Sequence, residues 1–326
     1  MRGDRIALRA IRSAPRWRAA ATPGPLDISV CAALARVAPG GGLRAWPASP
    51  RPRSDAEGSA IHFEEKHRFS CSAFAHSLHR MFPIRDHNPS GRTPYVTYAL
   101  IAVNTAVFLS YWSLFNDPRA LNAFFFEYAL IPAMVTHGEG YSGLFTSMFL
   151  HGGVMHLLGN MLFLWIFGDN MEDEMGHLGF LIFYIACGVL AGLAHVLFSA
   201  GSVVPTVGAS GAIAGVMGGY LLLFPRAKVD ILLIIIIFFR VFTLPAYILL
   251  VIWFVLQFFG GLGADPETGG VAYWAHAGGF VVGVALTFPL FLRLGGPRYW
   301  HENDFQPPHP EAQYDRSNVP TIGRRR

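Results

Sequence analysis

The chain has 326 residues, a formal net charge of +4, 52% hydrophobic residues and only 14% charged ones, where soluble domains carry about a quarter. This composition excludes an ordinary soluble enzyme and a chain disordered throughout. Cys31, Cys71 and Cys187 are too few and too scattered for a disulfide framework or a zinc site.

Charge is distributed unevenly along the chain. Residues 1–80 hold 13 Lys/Arg and 6 Asp/Glu, whereas residues 81–326 hold 12 and 15. The basic excess therefore belongs to the first quarter, and no nucleic-acid partner is expected for the main body. That first quarter is rich in Arg, Ala, Pro, Gly and Ser, and it lacks the apolar core of a secretory signal. It reads as a disordered or mispredicted extension, with translation expected to start at Met81. A mitochondrial presequence is the alternative.

Six apolar stretches follow, each approaching the roughly 20 residues that cross a bilayer as a helix: 96–115, 146–168, 178–199, 209–224, 244–260 and 271–292. Between the fourth and fifth, residues 229–239 are very apolar and β-branched, and read as an extended or interfacial segment. Basic residues test the count. Arg80, Arg85 and Arg92 precede the first span, Arg226 and Lys228 follow the fourth, and Arg293 and Arg298 follow the sixth. The first, third and fifth connecting loops contain only Arg119. The expected fold is thus an all-α polytopic membrane protein, a six-helix bundle over residues 81–295 with both termini cytoplasmic. A mobile tail is expected over 296–326.

In this topology spans two, four and six run from the outer to the inner face, and each carries its unusual polar residues near its outer end. Span two has His151, His156 and Asn160, span four opens with Gly208-Ala209-Ser210-Gly211, and span six has His276. Polar groups within a membrane are costly, so such a layer is a functional site by default. His156 and Asn160, four apart, share a helix face. Gly211, Gly215 and Gly219 form one small-residue stripe and Gly279 and Gly283 another, with His276 on the second. Packing the stripes together would bring Ser210 within hydrogen-bond reach of His276, the base a weakly nucleophilic serine requires. No carboxylate lies in the layer to complete a triad, so a Ser–His dyad is the economical reading. His156, Asn160 and the backbone N–H groups at the start of span four can supply oxyanion donors. A serine or histidine on a small-residue face is usually packing; it is their shared depth that points to chemistry. His177 and His195 read as structural, His137 as a loop residue, and Glu172-Asp173-Glu174 as a helix end rather than a metal site.

His151-(x4)-His156-(x3)-Asn160, Gly208-Ala209-Ser210-Gly211 and Ala275-His276-(x2)-Gly279-(x3)-Gly283 together make residues 81–293 resemble the rhomboid family of intramembrane serine proteases. The opening Phe82-Pro83-Ile84-Arg85-Asp86 is similar to bacterial members without a folded soluble N-domain. The resemblance implies Ser210 as nucleophile, His276 as general base and then acid, and His156, Asn160 and the Ser210 amide as oxyanion hole. Gly208, Gly211, Gly215, Gly279 and Gly283 are expected to provide close helix packing, and His151 reads as structural or water-organising rather than catalytic. It implies transmembrane protein substrates cleaved near the outer face, in the bacterial inner membrane or, as the alternative, the mitochondrial one. No metal or cofactor is needed. Two positions depart from the pattern. Ser142-Gly143 stands where some relatives carry Trp-Arg, and Ala214 where some carry a Tyr under the histidine, so the glycine stripe is expected to orient His276. The glycine-rich segment 260–263, continuing to Gly269-Gly270, is expected to be a movable cap over the site. A catalytically inactive relative that binds membrane helices is the second reading, disfavoured by the presence of both Ser210 and His276. A solute transporter is a third, disfavoured because the polar layer lies near one face rather than at the midplane.

Overall fold

A computed structural model describes residues 81–235, 238–265, 267 and 269–308. The expectations for residues 1–80 and for the chain beyond 308 lie outside them. The described chain begins with strand β1 (Met81–Asp86), followed by helix α1 (Tyr95–Ser110) and a 3₁₀ turn at Trp112–Asn116. The short helices α2 (Pro118–Tyr128), α3 (Pro132–Thr136) and α4 (Gly143–Thr146) come next, the last running into a 3₁₀ turn at Ser147–Phe149. The bundle continues with α5 (Val154–Met175), α6 (His177–Phe198) and α7 (Ser210–Leu223). Strands β2 (Lys228–Ile235) and β3 (Phe238–Pro245) lead into α8 (Ala246–Gly263), α9 (Tyr273–Arg293) and α10 (Pro297–Glu302).

Each expected span contains a helix. Helices α6, α8 and α9 are long and apolar enough to cross a membrane, while α1 and α7, with 16 and 14 residues, are shorter apolar helices. The second span differs from its expected boundaries: Gly143–Phe149 and Val154–Met175 meet at 93°. The break falls at His151-Gly152-Gly153, where two glycines interrupt the apolar run and let the chain turn.

The residues 229–239 expected to be extended contribute to a sheet, of antiparallel order β1-β2-β3. It adds a small β element to a mainly helical fold. Asp230, an acid in an otherwise apolar run, is buried there. Its carboxylate accepts from Arg85 Nε at 2.7 Å and Thr243 Oγ1 at 2.6 Å and meets His87 Nε2 at 2.9 Å, which ties the three strands together.

The core is centred on α7, whose residues from Gly211 to Tyr220 are all buried. α7 packs most closely on α9, and also on α6 and α5. The glycine stripes account for this. A Cβ on Gly279 would lie 2.1 Å from the Gly211 carbonyl oxygen, and one on Gly283 1.9 Å from that of Gly215, so backbone meets backbone. Glu172, buried near the end of α5, accepts from the N–H groups of Val96 and Thr97 and from Thr97 Oγ1, each at 2.8 Å. It caps α1 from a neighbouring helix, a role beyond the helix end read from sequence.

Two expectations are corrected. Gly260–Gly263 is the last turn of α8 rather than a loop, with Gly260 against the Tyr273 ring and Gly261 against Trp274; aromatic rings from α9 fill the space these glycines leave. The tail departs from mobility over 297–308: Tyr299 is buried, Trp300 Nε1 donates to the Leu222 carbonyl at 2.9 Å, and Arg226 lies over the Phe305 ring. Aromatic side chains that would be exposed in a free tail find apolar cover at the end of α7.

Candidate active site

Ser210 is the first residue of α7 and follows Gly208, whose φ of +135° suits glycine. A Cβ at Gly208 would also stand 2.8 Å from His156 Nε2, so the missing side chain is what lets the His156 ring approach the start of α7. Gly208 N–H donates to the Ser147 carbonyl at 2.9 Å, fixing the segment before the helix. No side chain caps α7, because Ala209 at the cap position has no acceptor. The first backbone N–H groups of the helix thus lack intrahelical partners.

His276 lies in the first turn of α9. Its Nε2 is 2.7 Å from Ser210 Oγ, the juxtaposition expected from the two glycine stripes. Its Nδ1 is 2.8 Å from Gln257 Oε1 on α8, and the Trp253 ring, one turn before Gln257, lies 5.8 Å from the imidazole. His276 is therefore held by α8 as well as by the stripe. Trp253 stands near the ring where Ala214, fully buried, cannot reach. Gln257 was missed in the sequence, although it was detectable: it is the one strongly polar side chain of Ala246–Gly263.

His156 occupies the first turn of α5, with Asn160 one turn further on the same face. Gly152 N–H approaches His156 Nδ1 at 3.3 Å. A nitrogen that accepts there carries no proton, so the ring's N–H is Nε2, the atom beside Gly208. Asn160 is buried and its Nδ2 has no partner among the described residues. His156 thus reaches the uncapped start of α7 that carries Ser210, while Asn160 lies one turn further along α5. Ser210 and His276 are half-buried and His156 is exposed, which leaves the pair open to a reactant.

His151 lies in the break before α5, not within the helix. Its backbone exchanges two hydrogen bonds with Tyr111 Oη, at 2.7 and 2.9 Å, and its ring stands edge-on to His156 with centroids 5.1 Å apart. His195 meets Thr206 Oγ1 at 3.0 Å, and His177 meets Glu172 at 2.6 Å. Both are bonding partners between segments, outside the serine site. At Gly143 a Cβ would stand 2.5 Å from the Ala129 carbonyl oxygen, so glycine here is set by a close crossing of the loop.

The fold and site define a multi-pass helical membrane protein with a half-buried serine–histidine pair at the start of a short central helix. Residues 138–293 match the Rhomboid domain, which makes this stretch of the chain rhomboid-like. RHOMBOID-like protein 4 of Arabidopsis thaliana is 32% identical over 163 residues, covering 50% of this chain and 37% of that protein. Rhomboid protein 1, mitochondrial, of Saccharomyces cerevisiae is 32% identical over 199 residues, covering 58% and 51%. Rhomboid protease GluP of Bacillus subtilis is 38% identical over 89 residues, covering 27% and 17%. The chain spans about half or less of the length of the curated relatives it matches. The bacterial type expected from the opening residues is not singled out, since plant and mitochondrial relatives match as well.

Proposed function

We propose that the chain is an intramembrane serine endopeptidase that cleaves transmembrane protein segments near the outer face of the membrane. The observation that carries this reading is the 2.7 Å contact between Ser210 Oγ and His276 Nε2, with His156 Nε2 beside Gly208 at the uncapped start of α7. In this reading His276 Nε2 takes the Ser210 proton as Oγ attacks the substrate carbonyl. The carbonyl oxygen, now negative, is held by His156 Nε2–H, Asn160 Nδ2–H and the Ser210 amide. The imidazolium returns its proton to the leaving amine as the C–N bond breaks. Water then hydrolyses the acyl-enzyme with the same base, restoring Ser210.

Helix length supports the depth. The 14 residues of α7 span about 21 Å at 1.5 Å each, against about 30 Å of hydrocarbon. With Arg226 and Lys228 at one surface, Ser210 at the other end lies below the opposite one. A substrate helix must unwind locally to expose its peptide bond at that depth. Both termini cytoplasmic, six crossings and a bacterial inner membrane complete the proposal.

The test is labelling of the detergent-solubilised protein with a fluorophosphonate probe. Wild type is expected to label and Ser210→Ala and His276→Ala are not. A folded wild type that stays unlabelled beside a labelled rhomboid protease would favour the inactive, helix-binding reading.

A further inference from the structure

We propose that Gln257 is a positioning residue for the base: its side-chain carbonyl holds the proton of His276 on Nδ1 and so keeps Nε2 free to accept from Ser210. The inference rests on the serine-protease reading above and deepens it.

The argument begins with what an imidazole must do. Neutral histidine has one N–H and one bare nitrogen, and only the bare one can act as base. If the proton sat on Nε2, the ring would donate to Ser210 Oγ and could not take its proton. The dyad alone does not decide between these tautomers. A partner on Nδ1 does, because that partner selects which nitrogen carries hydrogen. Gln257 Oε1 stands 2.8 Å from Nδ1 on the opposite side of the ring from Ser210, whose Oγ is 2.7 Å from Nε2. A carbonyl oxygen can only accept, so the contact requires Nδ1–H and leaves Nε2 unprotonated. When Nε2 takes the serine proton, the same carbonyl faces the cationic ring's Nδ1–H and favours the charged form. An amide oxygen carries no net charge, so it supplies this orientation without placing a carboxylate in an apolar bundle.

Location strengthens the assignment. Gln257 is half-buried in a helix otherwise made of Ala, Ile, Leu, Val, Trp, Phe, Tyr and Gly. A glutamine in such a segment is costly unless its amide finds a partner, and the imidazole is that partner. Trp253, one helical turn earlier on the same face, bounds the ring at 5.8 Å, so the two residues limit rotation of the imidazole about its long axis. The other titratable rings facing His276 are His156 on α5 and His195 on α6, whereas Nδ1 meets Gln257. Gln257 lies outside the rhomboid-like sequence motifs that carry Ser210, His156, Asn160 and His276.

The test compares wild type with Gln257→Met, which keeps length and loses the acceptor, and Gln257→Glu, which keeps an acceptor oxygen at the same reach. Cleavage of a transmembrane reporter substrate is measured with thermal unfolding in the same detergent. Gln257→Met is expected to lower kcat by roughly 100-fold, the lower end of what positioned proton transfer contributes, with KM and the unfolding midpoint close to wild type. Gln257→Glu is expected to recover most of that loss. Nitrogen-15 NMR of histidine-labelled protein, with the His276 signals assigned by difference against His276→Ala, is expected to show Nδ1–H in wild type and its loss of preference in Gln257→Met. Wild-type kcat in folded Gln257→Met, or an Nε2–H tautomer in wild type, would overturn the inference. The NMR readout needs no turnover, so an inactive wild type with the Nδ1–H tautomer would sink the protease reading and leave the Gln257 contact standing.

Discussion

Gly283 on α9 sits directly on the backbone of Gly215 on α7: a Cβ at position 283 would fall 1.9 Å from the Gly215 carbonyl oxygen and 2.5 Å from its Cα. This crossing lies along the same pair of helices that presents Ser210 to His276. Gly283→Ala is therefore expected to push α9 outward and lengthen the Ser210–His276 contact. Overpacking costs typically about 1–3 kcal/mol, and the effect on activity should exceed that on stability, since a hydrogen bond is lost over a few tenths of an ångström. Thermal unfolding and probe labelling, measured on one preparation, check this; a fully active, unshifted variant would contradict it.

The proposed oxyanion donors predict a different signature. Asn160→Ala and His156→Ala remove groups that the proposed mechanism needs only once the carbonyl oxygen becomes charged. Each is expected to lower kcat by about 100- to 1000-fold with little change in KM. Steady-state kinetics on a reporter substrate distinguishes this from a folding defect, which would reduce the active fraction and leave the kcat of that fraction intact.

Glu172 predicts a stability effect far from the site. Its carboxylate serves three donors at the start of α1, at Val96 and Thr97. Glu172→Ala leaves those donors without their acceptor at a cost of about 1–3 kcal/mol for a buried group. Glu172→Gln keeps one carbonyl oxygen and should lose less. Unfolding midpoints of the two variants, ranked against wild type, test the cap, and labelling of the still-folded protein should be unchanged.

Asp86 predicts a pH dependence. The carboxyl on β1 accepts from Tyr220 Oη at 2.7 Å, and burial pushes its pKa up to about 8 from an ordinary value of 3.8. The folded state thus holds this proton more tightly than the unfolded chain does. The stabilisation is complete below about pH 4 and is lost progressively as pH rises through about 8. Asp86→Asn keeps an acceptor for Tyr220 and removes the ionisation, so its unfolding midpoint should be flatter across that range than that of wild type. Equal slopes for the two proteins would show that another group carries the dependence.

Much of the site was legible because a membrane simplifies the reading. Within apolar spans, Ser210, His276, His156 and Asn160 stand out by cost alone, and small-residue spacing at 211, 215, 279 and 283 shows which faces approach. Gln257 was equally conspicuous by composition, but its spacing to His276 crosses a loop between two helices, and no helical period relates the two. Segment 229–239 was legible as extended from its β-branched residues, while its pairing with Met81–Asp86 was not. That pairing joins residues more than 140 positions apart, and the apolar pattern of each strand fits several partners.

The sequence by itself determined a helical membrane protein, the residue types of its polar layer and the helix faces that meet, because hydrophobic length and small-residue spacing act locally along each helix. Only the tertiary structure decided the angle at His151-Gly152-Gly153, the capping of α1 by Glu172, the helical state of Gly260–Gly263 and the neighbour of His276 Nδ1. Each of these depends on which side chain fills a space left by a distant segment, and close packing between helices resolves that choice while pattern along one helix leaves it open.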